Sequence, residues 1–182
     1  DEEALQTLKR TSYPFILRRT KELVASELPA KSEILHYCEM EPEQRAFYEF
    51  WKDSIKKGVM AEIEKKGLKK SKIKVLEGLL RLRQICNHPL LLGQHDVKKS
   101  GKFDEFRMLI DPIIKENHKI LVFSQFTKML EIMRRSLEKK DIRYSLLTGS
   151  TTDREGEVRR FQNDESTKIF LISLKAGGFG LN

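Results

Sequence analysis

Cysteine is scarce: only Cys38 and Cys86 occur in 182 residues, and they stand far apart. With no C-x-x-C pair, a disulfide framework and a zinc ribbon are both unsupported, and two free buried thiols are expected. The four histidines, His36, His88, His95 and His118, show neither H-E-x-x-H nor H-x-H spacing. Cys86 and His88 lie close in sequence, but nothing supplies the two further ligands that tetrahedral zinc requires. Long apolar runs are missing too. None approaches the ~20 residues of a membrane span, and the opening DEEALQTLKR does not read as a signal peptide. A soluble, intracellular chain is expected.

Several catalytic engines are missing as well. There is no G-x-x-x-x-G-K-[ST] loop, since Gly101-Lys102 lacks both the upstream glycine and the following Ser or Thr. No acidic strand end of the kind that holds Mg²⁺ occurs, nor a G-x-S-x-G elbow, nor a Cys/His nucleophile pair. No catalytic residue and no metal ligand is assigned.

What is present is a core and a charge. Hydrophobic residues make up 39% and charged residues 34%, with a formal net charge of +8. That excludes wholesale disorder, and the length fits one domain with an accessory segment. The excess is most concentrated in KKGVMAEIEKKGLKKSKIK, where Lys56, Lys57, Lys65, Lys66, Lys69, Lys70, Lys72 and Lys74 face only Glu62 and Glu64. Such a stretch is either a surface that attracts phosphates or a solvated helix face, and composition alone leaves both readings open.

The chain has two textures, with a boundary in LGQHDVKKSG. Residues 1–95 read as mainly helical with one short β-leaning run, SEILHYCEM. Pro42 opens a helix in which Phe47, Phe50, Trp51 and Ile55 form an apolar stripe expected to pack in the core, and a second helix runs from Ile73 to about Cys86, with Pro89 beyond its end. Residues 96–182 alternate. A helix over Lys102–Asn117 precedes the strand KILVFS, whose apolar run predicts burial on both faces. A helix over Lys128–Lys139, the strand RYSLLTG, the polar helix TTDREGEVRRFQND, the strand TKIFLIS and the turn AGGFGLN come next. This is the rhythm of βαβ units, so the fold class is α/β, an incomplete parallel three-layer sheet preceded by a helical segment. A sheet stopping at the glycine turn is expected to continue, and the sequence reads as a piece of a longer chain.

Parallel sheets take ligands at the C-terminal ends of their strands. Those ends are Ser124-Gln125, Thr148-Gly149-Ser150 and Ser173-Leu174-Lys175, all small, polar or basic. Glycines after a buried strand, as in Ala176-Gly177-Gly178-Phe179-Gly180, let a backbone approach a phosphate or ribose, though such a turn alone is more often only a tight turn. Arg154, Arg159 and Arg160 are candidates for phosphate contacts, with pairing to Asp153, Glu155 and Glu157 on a solvated helix as the favoured reading.

Six ordered blocks carry a resemblance: FILRRTKELVASELPAKSE, LRLRQICNHPLLL, SGKFDEF, KILVFSQFTKMLEIMRRSLE, LTGSTTDREGEVRRFQND and ISLKAGGFGLN. Together, from Phe15 to Asn182, the chain resembles the second, RecA-like lobe of SWI/SNF-type DNA-dependent ATPases. The resemblance implies two lobes that sandwich ATP with Mg²⁺, with duplex DNA lying across both. The first lobe would carry the phosphate loop and the acidic Mg²⁺ motif. It further implies that Ser124, Gln125, Gly149, Ser150, Ser173 and Lys175 face DNA, and that Gly178, Gly180 and Asn182 face the nucleotide. Expected partners are double-stranded DNA, the first lobe of the same chain and other DNA-bound proteins, with no membrane. The expected location is bacterial or archaeal cytoplasm at the nucleoid, or the nucleus of a eukaryote. The rival readings are a non-catalytic basic module that binds nucleic acid or protein, and a degenerate lobe kept as a scaffold.

Overall fold

The computed structural model describes residues 2–16, 31–93 and 96–178. The chain divides into two compact units, Asp1–Tyr37 and Cys38–Asn182. In the first, α1 (Glu2–Ser12) begins with Glu2 and Glu3 and ends with Lys9 and Arg10, an order that suits the helix dipole, and it buries no residue. The β-leaning run Ser32–Met40 is not a strand: among the described residues it joins no sheet, and Ile34, Leu35 and Tyr37 are all exposed. Its β-branched and aromatic residues favour extended backbone, but a strand also needs a neighbouring edge to bond to.

The second unit opens with α2 (Pro42–Asn87), a helical hairpin. Pro42 sits in its first turn, where a missing N–H is harmless. Gly67 breaks the helix with φ 75° and ψ 162°, a conformation that other residues adopt only under strain. The limbs, 42–66 and 68–87, run antiparallel. Gln44 meets Ile85 near one end, Ile55 packs on Gly78, and Gly58 approaches Lys74 towards the other. A Cβ added at Gly78 would lie 2.4 Å from Cγ2 of Ile55, so a glycine is what lets the limbs close. The lysine-rich stretch between the two predicted helices is itself helical up to and beyond Gly67.

A dense junction joins the hairpin to α3 (Gly101–Lys115). Gln44, fully buried, donates from Nε2 to the Ile85 carbonyl at 2.8 Å, and its Oε1 accepts from the Gly101 N–H at 3.0 Å. Ser100 donates to the Asn87 carbonyl at 2.7 Å and accepts from Phe103 N–H, capping α3. At Gly101 a Cβ would fall 1.7 Å from the Glu39 carbonyl oxygen. His88 packs edge-on against Phe103, and the 3-10 turn Pro89–Leu92 drops Leu91 into the core. The strings R-Q-I-C-N-H-P-L-L and S-G-K-F are thus junction chemistry. Cys38 and Cys86 are free and only half-buried, which corrects the expectation of buried thiols.

Beyond the junction come β1 (Ile120–Ser124), α4 (Thr127–Glu138), β2 (Tyr144–Leu147), α5 (Arg154–Asn163), β3 (Ile169–Ser173) and the short α6 (Leu174–Gly177). The three strands are parallel in the order β1-β3-β2. One face of the sheet, with Val122, Leu171 and Leu146, packs on α3 and α4 through Ile110, Met129, Leu130 and Leu137. The other face packs Leu147, Phe170 and Ile172 on Val158 and Phe161 of α5. Central β3 is buried at all five positions, as its unbroken apolar run predicts. β1 is not buried on both faces: Leu121 and Phe123 are 53% and 51% exposed, because α5 covers only the β2 and β3 side.

Candidate nucleic-acid interface

The register sets Ser124 of β1 opposite Ser173 of β3, and Leu147 of β2 opposite Ile172. The three strand ends therefore finish level and form one edge, built from the loops after each strand. Gln125, Gly149, Ser150, Lys175 and Gly178 are exposed along it. Gly149 faces open space. Ser150 is held by Thr148, whose Oγ1 lies 2.9 Å from the Ser150 hydroxyl. Lys175 makes no hydrogen bond or ion pair among the described residues.

Two of the expected contact residues are committed elsewhere. Ser124 is 9% exposed, and its hydroxyl accepts from Phe126 N–H at 3.1 Å. Ser173 is 2% exposed, and its Oγ accepts from Ala176 N–H at 3.2 Å, capping α6. Both hydroxyls turn the chain sharply out of the sheet and so shape the edge. Gly180 and Asn182 lie outside the described residues. Gly178 has ordinary right-handed backbone, φ −75°, so nothing in its own conformation demands a glycine.

Sequence reasoning missed Arg83. From the returning limb of the hairpin its Nη2 donates to Gln125 Oε1 at 2.5 Å, and its guanidinium lies 6.0 Å from the ring centre of Phe126. With Lys102 it borders a cleft of about 320 Å³ at the end of β1. A second cleft, about 450 Å³, opens between the start of α4 at Thr127-Lys128 and the Thr148–Ser150 loop. Among the residues lining the two clefts the only acid is Glu131. Its carboxyl is already answered: Arg134 at 2.6 Å and Arg135 at 2.9 Å pull its pKa down to about 2. The edge is therefore cationic, a field suited to phosphate oxygens.

The three arginines of α5 are used within the protein. Arg154 donates to the Ala176 carbonyl at 2.5 Å, tying α5 to the turn after β3. Arg159 lies 3.6 Å from Glu155. Arg160 bonds Glu157 at 2.6 Å and the Tyr144 carbonyl at 3.0 Å. No group of three or more His, Cys, Asp or Glu side chains converges among the described residues. These residues do not by themselves fit a holder for a magnesium-bound nucleotide. No described helix is long and apolar enough to cross a membrane.

Comparison with known proteins decides the family. The sequence model of the SNF2-related domain matches residues 1–91, half of the chain. The chain belongs to the SNF2-related family. Residues 101–182 of this SNF2-related chain match the helicase conserved C-terminal domain. It is 34% identical over 198 residues to the probable ATP-dependent DNA helicase CHR12 of Arabidopsis thaliana, covering 100% of this chain and 17% of that protein. It is 32% identical over 198 residues to the SWI/SNF-related matrix-associated actin-dependent regulator of chromatin subfamily A member 1 of Mus musculus, covering 100% and 18%. The chain thus spans less than a fifth of these curated relatives. Among solved structures, the Sulfolobus solfataricus SWI2/SNF2 ATPase C-terminal domain superposes with a TM-score of 0.69 at 35% identity, over 81% of this chain and 65% of that one. The ATPase core of the same organism in complex with dsDNA gives 0.71 at 34% identity, over 92% and 36%. The fold is accordingly the RecA-like fold of the SWI2/SNF2 ATPase core.

Proposed function

We propose that this chain is part of the second motor lobe of an ATP-dependent DNA translocase of the chromatin-remodelling type, and that its strand-end edge holds the phosphate backbone of duplex DNA. The observation that carries the reading is the ring of Arg83, Lys102, Lys128 and Lys175 around the strand ends, with no unanswered acid lining the clefts there. Contacts of this kind position a duplex without reading its bases, and they weaken as salt rises.

The residues after β3 suit a coupling role. Lys175 stands two positions after Ser173 and three before Gly178. The Ser173 cap and the Arg154 bond to Ala176 hold the intervening turn as one piece. A displacement at 178–182, where Gly178, Gly180 and Asn182 would face the nucleotide, would therefore move Lys175 against the DNA. ATP is the substrate. Its triphosphate and Mg²⁺ would be held mainly by a first lobe, because this sequence has no phosphate loop and no acidic strand end to hold them. What residues 1–182 supply is orientation of DNA and one wall of the nucleotide cleft.

The test is hydrolysis by the full-length parent with and without duplex DNA. Lys175→Ala should lower DNA-stimulated turnover several-fold and leave basal turnover in place; equal loss of both would overturn its DNA role. Residues 1–182 alone should show no turnover, and robust hydrolysis by them would overturn this division of labour.

A further inference from the structure

We propose that the lysine-rich end of the α2 hairpin is a second grip on the duplex, a phosphate-backbone contact displaced from the strand-end edge along the returning limb; this rests on the duplex-DNA reading above. Between Lys56 and Lys74 stand eight lysines and two acids, Glu62 and Glu64. All eight lysines are exposed. Lys66 pairs with Glu62 at 2.8 Å, and the Glu62 carboxyl is held below its usual range first by that bond and then by the fields of Lys66, Lys74 and Lys65. Lys69 and Lys72, and Lys70 and Lys74, sit three and four positions apart on one limb with no acid between them. Like charges at those spacings weaken a helix, and a polyanion laid against them removes the penalty.

Placement turns this charge into a site. The base of the hairpin is fixed at the junction by Gln44, and Arg83 reaches from the returning limb to Gln125. On that limb Lys72 lies eleven residues from Arg83 and Lys69 fourteen, close to three and four helical turns, so the three cations share one side. Fourteen residues at a rise of ~1.5 Å place Lys69 ~21 Å along the axis from Arg83. At ~3.4 Å per step of duplex that is roughly six base pairs. Between them the same side carries exposed Ile73, Leu76 and Leu80, so the duplex is gripped at two points and not along the whole limb. The close packing of Ile55 on Gly78 stiffens the arm that sets this spacing. Lysine ammoniums on flexible stems, with no pocket for a base, make a contact that is blind to sequence.

The experiment compares the full chain with a variant carrying Lys69→Gln, Lys70→Gln, Lys72→Gln and Lys74→Gln, on two probes across a potassium chloride series. One probe is a loop-closed duplex of about half a helical turn, the other a linear duplex of about two turns. On the long duplex the variant should lose about ten-fold in affinity, and its slope of log K against log salt should become shallower by ~3 to 4, one phosphate per lysine. On the short duplex the two proteins should agree within two-fold, and the matching Lys→Arg variant should keep the parent's slope. These lysines are exposed, and an unchanged circular-dichroism melt confirms that the fold is kept. A variant that binds the long duplex with the parent's slope overturns the proposal and assigns the patch to an acidic protein surface or to solvent. Equal losses on both lengths overturn the spacing. Lys175→Ala should weaken both duplexes; that result with an unaffected lysine variant overturns the second grip alone, whereas a parent that binds neither duplex overturns the DNA reading with it.

Discussion

Of the forty-six residues of α2 only Gln44, Ser71, Gly78 and Ile85 are buried, whereas all five residues of β3 are. The hairpin is two limbs thick and leaves Phe50, Ile73, Leu76 and Leu79 in the open, so Phe50 is not the core residue its stripe suggests, while the sheet fills two layers of core with Leu171 on one face and Phe170 and Ile172 on the other. The sheet and its helices are thus held by tertiary burial. The hairpin is held by helix formation, one close approach at Gly78 and the junction at its base. The sheet region is therefore expected to unfold as a unit, and the hairpin to change its aim before it melts.

Four substitutions or conditions sharpen or break that contrast. The largest effect is expected from Leu171→Ala, which hollows the centre of β3: a loss of about 3 kcal/mol of unfolding free energy by denaturant titration. A loss below about 1 kcal/mol would mean the sheet is not the stabilising half. Gly101→Ala comes next, at about 2 kcal/mol, because a methyl group must push the Glu39 carbonyl aside. Hydrogen exchange should then quicken at Ile85–His88 while β3 stays protected; even quickening throughout would show that junction and sheet are one cooperative body.

The third effect is a pH dependence at His88. Burial pushes its imidazole pKa below the ordinary value, opposed by Asp104, and Nδ1 accepts from the Leu90 N–H. The unfolded chain then takes up a proton at ~6.5 that the folded chain refuses. Stability is thus fully present above that pH and falls as pH drops through it towards the folded value. Denaturation midpoints should be lower at pH 5 than at pH 7.5, and the difference should shrink in His88→Asn; an undiminished difference would assign it to other groups. The smallest effect is Leu76→Ala, in the exposed stripe of the hairpin, at under about 0.5 kcal/mol. A larger loss by the same titration would reveal that something covers the stripe.

The elements of the sheet region were legible because their signals are local. An apolar run such as IFLIS and a period of three to four in MLEIMRRSL report burial without knowledge of the rest of the chain. What stayed illegible depended on partners. Ile34, Leu35 and Tyr37 have strand-forming side chains but no edge to pair with among the described residues. KILVFS reads as covered on both faces, yet Leu121 and Phe123 are open because α5 crosses the other two strands. At the candidate interface the strand ends could be read from sequence, but the use of the Ser124 and Ser173 hydroxyls as backbone caps could not. Arg83 is invisible to any local pattern, since the Gln125 that it meets lies forty-two residues away.

Gly67 has a consequence for how chains of this kind diversify. It occupies the extremity of the hairpin with nothing within 4 Å of where a side chain would begin. Residues spliced in at that bend would meet no neighbour, and the fastening at Gln44 would not register the change. The projection can thus lengthen there without strain on the sheet, which would carry its lysines farther from Arg83.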